Sequence, residues 1–119
     1  MAFIDGVIDN VQELFGAVWS FVKRISEKIV NFVKNIVSWF KDPSRHKKLQ
    51  ENKKLIATSI KRNLENGQFN VINCLYDTEK EDIVGDYDVS NQYAAGIESE
   101  GLDSETKNRF GDKDMIILK

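Results

Sequence analysis

Three residue types are nearly missing from this 119-residue chain, which has one cysteine, one proline and one histidine. A single thiol supports neither an intramolecular disulfide framework nor a thiolate zinc site, and a single imidazole leaves no histidine cluster for a metal. A disulfide-stapled miniprotein and a zinc module are both excluded, and no cofactor or metal is expected. Long apolar runs are missing too. The run Leu14–Val22 is nine residues, and nothing approaches the roughly 20 apolar residues of a membrane-spanning helix. Met1–Asn10 lacks the basic start and compact apolar stretch of a secretory signal. With the free thiol, this leads to an expected cytoplasmic location, which for a peripheral protein includes the inner face of a membrane.

What is present is unevenly spread. Of the first 40 residues 23 are hydrophobic, among them seven of the 12 aromatics. Residues 1–48 carry a net charge of +3 and residues 49–119 a net charge of -5. The lone proline marks the boundary, because Asp42-Pro43 ends one helix and can start another, with Asp42 as N-cap and Pro43 in the first turn. The expected division is therefore a long amphipathic helix, 1–42, serving as a membrane-interface or assembly helix, and a small α+β domain, 43–119.

The strongest pattern lies in the first segment. Ile4, Ile8, Val11, Phe15, Val18, Val22, Ile25, Ile29, Phe32, Ile36 and Trp39 keep a 4-3 spacing without a miss, which predicts a helix over 3–41 about 57 Å long. Positions 18 apart share their character: Phe15/Val33 and Val18/Ile36 are apolar, whereas Asp9/Glu27 and Ser20/Ser38 are polar. The large apolar side chains would fill about half the circumference, with Ser26 the main intruder. A half-cylinder suits either a membrane interface or a bundle in which each helix touches two neighbours.

Trp19, Trp39 and Phe40 add aromatic surface to that interface, and Lys23, Arg24, Lys28, Lys34 and Lys41 would meet lipid headgroups or an acidic partner. The order of charge, acidic Asp5, Asp9 and Glu13 before these cations, also suits the helix dipole alone.

Past the proline, 43–66 reads as a second helix stopped by Gly67. Residues 69–76, 83–89 and 92–98 read as strands, 103–110 as a short helix and the end of the chain as a last strand. The expected fold class is α+β: a long N-terminal amphipathic helix followed by an α-β-β-β-α-β domain with a mainly antiparallel sheet.

Chemistry-bearing motifs are weak. Cys74 sits in an apolar strand without a histidine beside it, Asp77–Asp82 reads as a solvated hairpin tip, and the glycines match neither a P-loop nor a dinucleotide fingerprint. The basic run from Arg45 to Lys48 has no interleaved aromatics, so nucleic acid is disfavoured. The expected function is that of a non-enzymatic interaction or structural protein, associating with a membrane surface through the helix, with self-association. The alternative is a soluble homo-oligomeric assembly or adaptor protein whose helix packs in a bundle or a partner's groove. The expected partners are accordingly a membrane surface, copies of the chain itself or another protein, with no small-molecule substrate.

Overall fold

A computed structural model of the chain describes residues 10–118. The predicted 3–41 helix is absent among them. In its place stand a nine-residue helix α1 (Val11–Trp19), a strand β1 (Arg24–Val30), and α2 (residues 32–40), a π-helical segment Phe32–Val37 continued by the turn Ser38–Phe40. Ile4 and Ile8 lie outside the described residues.

The interruption has local causes. Ile25, Ile29 and Val30 are β-branched, and Ser26, the intruder in the apolar stripe, is a weak helix former. Asn31 takes an extended backbone and its side chain accepts the amide of Lys34 at 2.8 Å, capping α2.

The predicted 43–66 helix is corrected as well. Asp42 does cap a helix with Pro43 in its first turn, but this α3 (Pro43–Glu51) stops at Asn52. Leu55–Asn63 is then strand β2, buried through most of its length. Ile56, Thr58 and Ile60 are β-branched residues of a central strand, and Gly67, at φ 85, turns β2 into β3 (Phe69–Asp77) instead of stopping a helix. The expected 83–89 strand contracts to β4 (Asp82–Ile83), while β5 (Ala94–Leu102), α4 (Ser104–Phe110) and β6 (Met115–Leu118) follow the predicted order.

The sheet runs β1-β5-β3-β2-β6, with β4 on the end of β3. It is mixed, not simply antiparallel: β1 lies parallel to β5 in the register Arg24 to Gly96 and Ile25 to Ile97, and the other pairings are antiparallel. Each face has its own apolar layer. On one side Phe15, Val18 and Val22 pack on Ile60, Ile72, Cys74 and Tyr76. On the other, Phe32, Ile36, Phe40 and Phe110 pack on Ala57, Val71, Leu75 and Ile97. The apolar stripe is thus divided between two faces of one sheet, and most of it is covered within the monomer. Exposed as a continuous rod, some 20 large side chains would forfeit tens of kcal/mol of burial, at about 1.5 kcal/mol or more each.

Two contacts fix this arrangement. Gly96 has no side chain where the Trp19 ring crosses β5, and a Cβ there would lie 2.7 Å from Trp19 Cζ3. At the other end of α1, Arg62 Nε donates to Gln12 Oε1 at 2.8 Å and Arg62 Nη2 to the Gln12 carbonyl at 2.6 Å.

Candidate interaction rim

The residues nominated from sequence for one interface separate into three groups. Phe15, Val18 and Val22 are buried under the first face, and Phe32, Ile36 and Phe40 under the second. Val11, Trp19 and Trp39 are half-buried. Trp19 stacks on Phe15 with centroids 5.5 Å apart, and Trp39 meets Phe40 edge-on at 4.8 Å beneath the Arg45 guanidinium. Only Ile25 and Ile29 stand out in solvent, 52% and 48% exposed, joined by Val33 at 59%.

These three aliphatics form the rim of the molecule where β1 ends the sheet and α2 begins. Ile25 pairs with Ile97 and so lies, with Glu27, on the α2 side of β1, while Ile29 stands over Gly101 farther along the strand. Lys23, Arg24, Lys28 and Lys34 are exposed along the same stretch, whereas Lys41 sits at the far end of α2. Residues 23–34 hold four cations against Glu27, a local charge of +3 in a chain whose total is -2. Arg24 is held in place: its Nη2 donates to the Trp19 carbonyl at 2.6 Å and its guanidinium lies 4.8 Å from the Trp19 ring centroid.

Behind the rim runs a polar chain that joins residues far apart in sequence. Ser59 Oγ donates to Asn73 Oδ1 at 2.6 Å, Asn73 Nδ2 donates to the Asn35 carbonyl at 3.0 Å, and Asn35 Nδ2 donates to Glu27 Oε2 at 3.1 Å. The Asn31 amide closes it on Asn35 Oδ1 at 2.7 Å. Among the described residues no buried side-chain polar atom lacks a partner, so the chain anchors α2 to the sheet and fixes Glu27 between Ile25 and Ile29. Asp103 does similar work at the end of β1. Its side chain accepts the amide of Phe32, the first of α2, at 3.1 Å and that of Thr106 at 2.9 Å, the latter capping α4.

Sites of chemistry are sparse elsewhere. A cleft of about 480 Å³ lies between α3 and β4, lined by Lys48, Asp77, Lys80, Asp82 and Asp86 among others. Two of its carboxylates are engaged, Asp77 by the amides of Glu79 and Lys80, and Asp82 by the Ile83 amide and the Tyr87 hydroxyl. Burial and the bond to Asp82 push the Tyr87 phenol up to about 12. Burial alone pushes the Cys74 thiol up to about 12, which removes it as a nucleophile. Among the described residues no three His, Cys, Asp or Glu gather as a metal site, and no helix is long and apolar enough to cross a membrane.

Sequence reasoning missed Val33 as a rim residue and missed the backbone edge of β1 altogether, because a residue assigned to a helix has no edge. Comparison with protein-family models, with curated proteins and with solved structures returned no match.

Proposed function

We propose that this protein is a non-enzymatic peripheral protein that associates reversibly with anionic membrane surfaces through the β1–α2 rim, at the cytoplasmic inner face. The observation that carries the reading is the coincidence of three half-exposed aliphatics, Ile25, Ile29 and Val33, with the exposed cations Lys23, Arg24, Lys28 and Lys34. A local +3 near an anionic leaflet contributes about 3 kcal/mol. Burying the exposed halves of three aliphatic side chains adds about 3 kcal/mol. Together these give salt-sensitive, dissociable binding, far short of a permanent anchor.

The test is co-sedimentation with vesicles of phosphatidylcholine, with and without phosphatidylserine. The expected result is pelleting with the anionic vesicles only, weakened by salt and abolished in an Ile29→Asp/Val33→Asp variant whose circular dichroism is unchanged. Failure to pellet at low salt would overturn the reading.

A further inference from the structure

We propose that, on such a surface, β1 pairs antiparallel with β1 of a second copy about a two-fold axis at Ile25, joining two sheets into one; this rests on the membrane reading. Among the described residues the strand is bonded to β5 on one side only, so its other edge is unpaired by them. The phase of that edge is fixed by the Gly96 amide, which donates to the Lys23 carbonyl at 2.8 Å. Lys23, Ile25 and Glu27 therefore turn their backbone groups inward, and Arg24 and Ser26 turn theirs outward. Farther on, the Val30 carbonyl accepts the Asp103 amide at 2.9 Å. Val30 shares the parity of Arg24 and Ser26 yet faces inward, so the alternation has slipped, and the outward ladder is confined to the first half of β1.

Side chains choose among the registers open to that half. An axis at Ile25 sets Arg24 opposite Ser26 in both hydrogen-bonded pairs, Ile25 opposite Ile25, and Lys23 opposite Glu27 twice, so that opposite charges meet. An axis at Ser26 sets Arg24 opposite Lys28 twice. An axis at Glu27 sets Glu27 on Glu27 and runs into the slipped stretch. The Ile25 register alone brings opposite charges together.

Free in solution, Lys23, Arg24 and Lys28 guard this edge, since pairing brings together two segments of +3 each. An anionic leaflet neutralises that charge and confines copies to a plane. The two-fold axis stands perpendicular to the sheet, so each exposed aliphatic of one copy faces the same side as its counterpart in the other and the membrane-facing patch doubles.

The experiment is disulfide trapping in the full chain. Cys74 is buried, so wild type serves as the uncrosslinked control. Ile25→Cys is expected to give a disulfide dimer on phosphatidylserine vesicles under brief mild oxidation and to stay monomeric without them, while Ile29→Cys stays monomeric in both. Adding Ser26→Pro, which removes an outward amide and no charge, should abolish the dimer and leave vesicle binding intact. Vesicle binding by Ile25→Cys without a dimer, a dimer of equal yield from Ile29→Cys, or a dimer that survives Ser26→Pro would each overturn the pairing and leave the membrane reading standing. Absence of vesicle binding by the wild type would overturn both.

Discussion

Gly96→Ala is the substitution that asks most directly whether the N-terminal apolar stripe is folded over a sheet. A Cβ at Gly96 would lie 2.7 Å from Trp19 Cζ3 and 3.2 Å from both Trp19 Cε3 and Val22 Cγ2. The indole has little room to yield, because it is stacked on Phe15 at an interplanar angle of 13° and packed against the Arg24 guanidinium. Overpacking of this kind costs about 1–3 kcal/mol. Trp19→Ala, which opens a space in the same layer, should cost about 3 kcal/mol. With the ring gone, however, the added methyl has room, and alanine in a strand is about 0.5–1 kcal/mol better than glycine. The double variant should therefore be more stable than the sum of the singles by about 2 kcal/mol. Urea unfolding followed by circular dichroism, on wild type and the three variants, measures this. A continuous helix would keep Trp19 off β5 and make the two changes additive; additivity within about 0.5 kcal/mol would refute the packing described here.

Asp103 and Cys74 yield three further outcomes. Asp103→Ala removes the cap of α4 and the acceptor of the first amide of α2 at once and should lower stability by about 2 kcal/mol, read in the same urea experiment; a loss below about 0.5 kcal/mol would contradict this double role. Burial raises the Asp103 pKa, but hydrogen bonds from the Thr106 side chain and from the Thr106 and Phe32 amides outweigh it and leave the native carboxyl below its ordinary 3.8. Its contribution is therefore complete above that value and lost as pH falls through the lower native one, so Asp103→Asn should flatten the acid limb of a stability-against-pH curve. Cys74, buried with its thiol at about 12, should react with a maleimide at pH 8 only as fast as the chain opens, and rapid labelling of the native protein would place it outside the core.

Beyond Gly67 the strand at 69–76, the helix at 103–110 and the last strand were legible because their signals are local, whereas the helix predicted over 43–66 gave way at Asn52 to the buried strand β2. Asp103 as N-cap, Gly111 past the helix end and the β-branched run at 69–76 each act within a few residues, and the structure uses all three. The first 40 residues misled through an arithmetical coincidence. A four-residue step suits a helix and equally a strand, so 11 to 15 and 32 to 36 lie within helices, 18 to 22 runs past the end of α1, and 25 to 29 lies within β1. Of the three-residue steps, which only a helix allows, 22 to 25 and 29 to 32 fall in the two joints that flank β1. The spacing was kept without a miss while the chain changed structure twice. Ser26 and Asn31 carried the contrary signal, and each is one residue against a periodicity of eleven.

The rim could not have been read in the same way, because its geometry depends on partners brought together only by the fold. Glu27 occupies an inward-facing strand position beside two isoleucines, where a sequence pattern would ask for an apolar residue. It is accommodated because Asn35 donates to it, Asn73 ties Asn35 to the sheet and Ser59 completes the chain across β2. Those positions, 27, 35, 59 and 73, follow no period. Once they are joined, Glu27 splits the apolar edge into Ile25 on one side and Ile29 with Val33 on the other, and it supplies the one negative charge among four cations. Under the proposed reading that division would separate two tasks: the half near Ile25 has the regular backbone phase and the Lys23–Glu27 complementarity that strand pairing would need, and the half near Ile29 and Val33 keeps the aliphatic exposure that a lipid surface would cover.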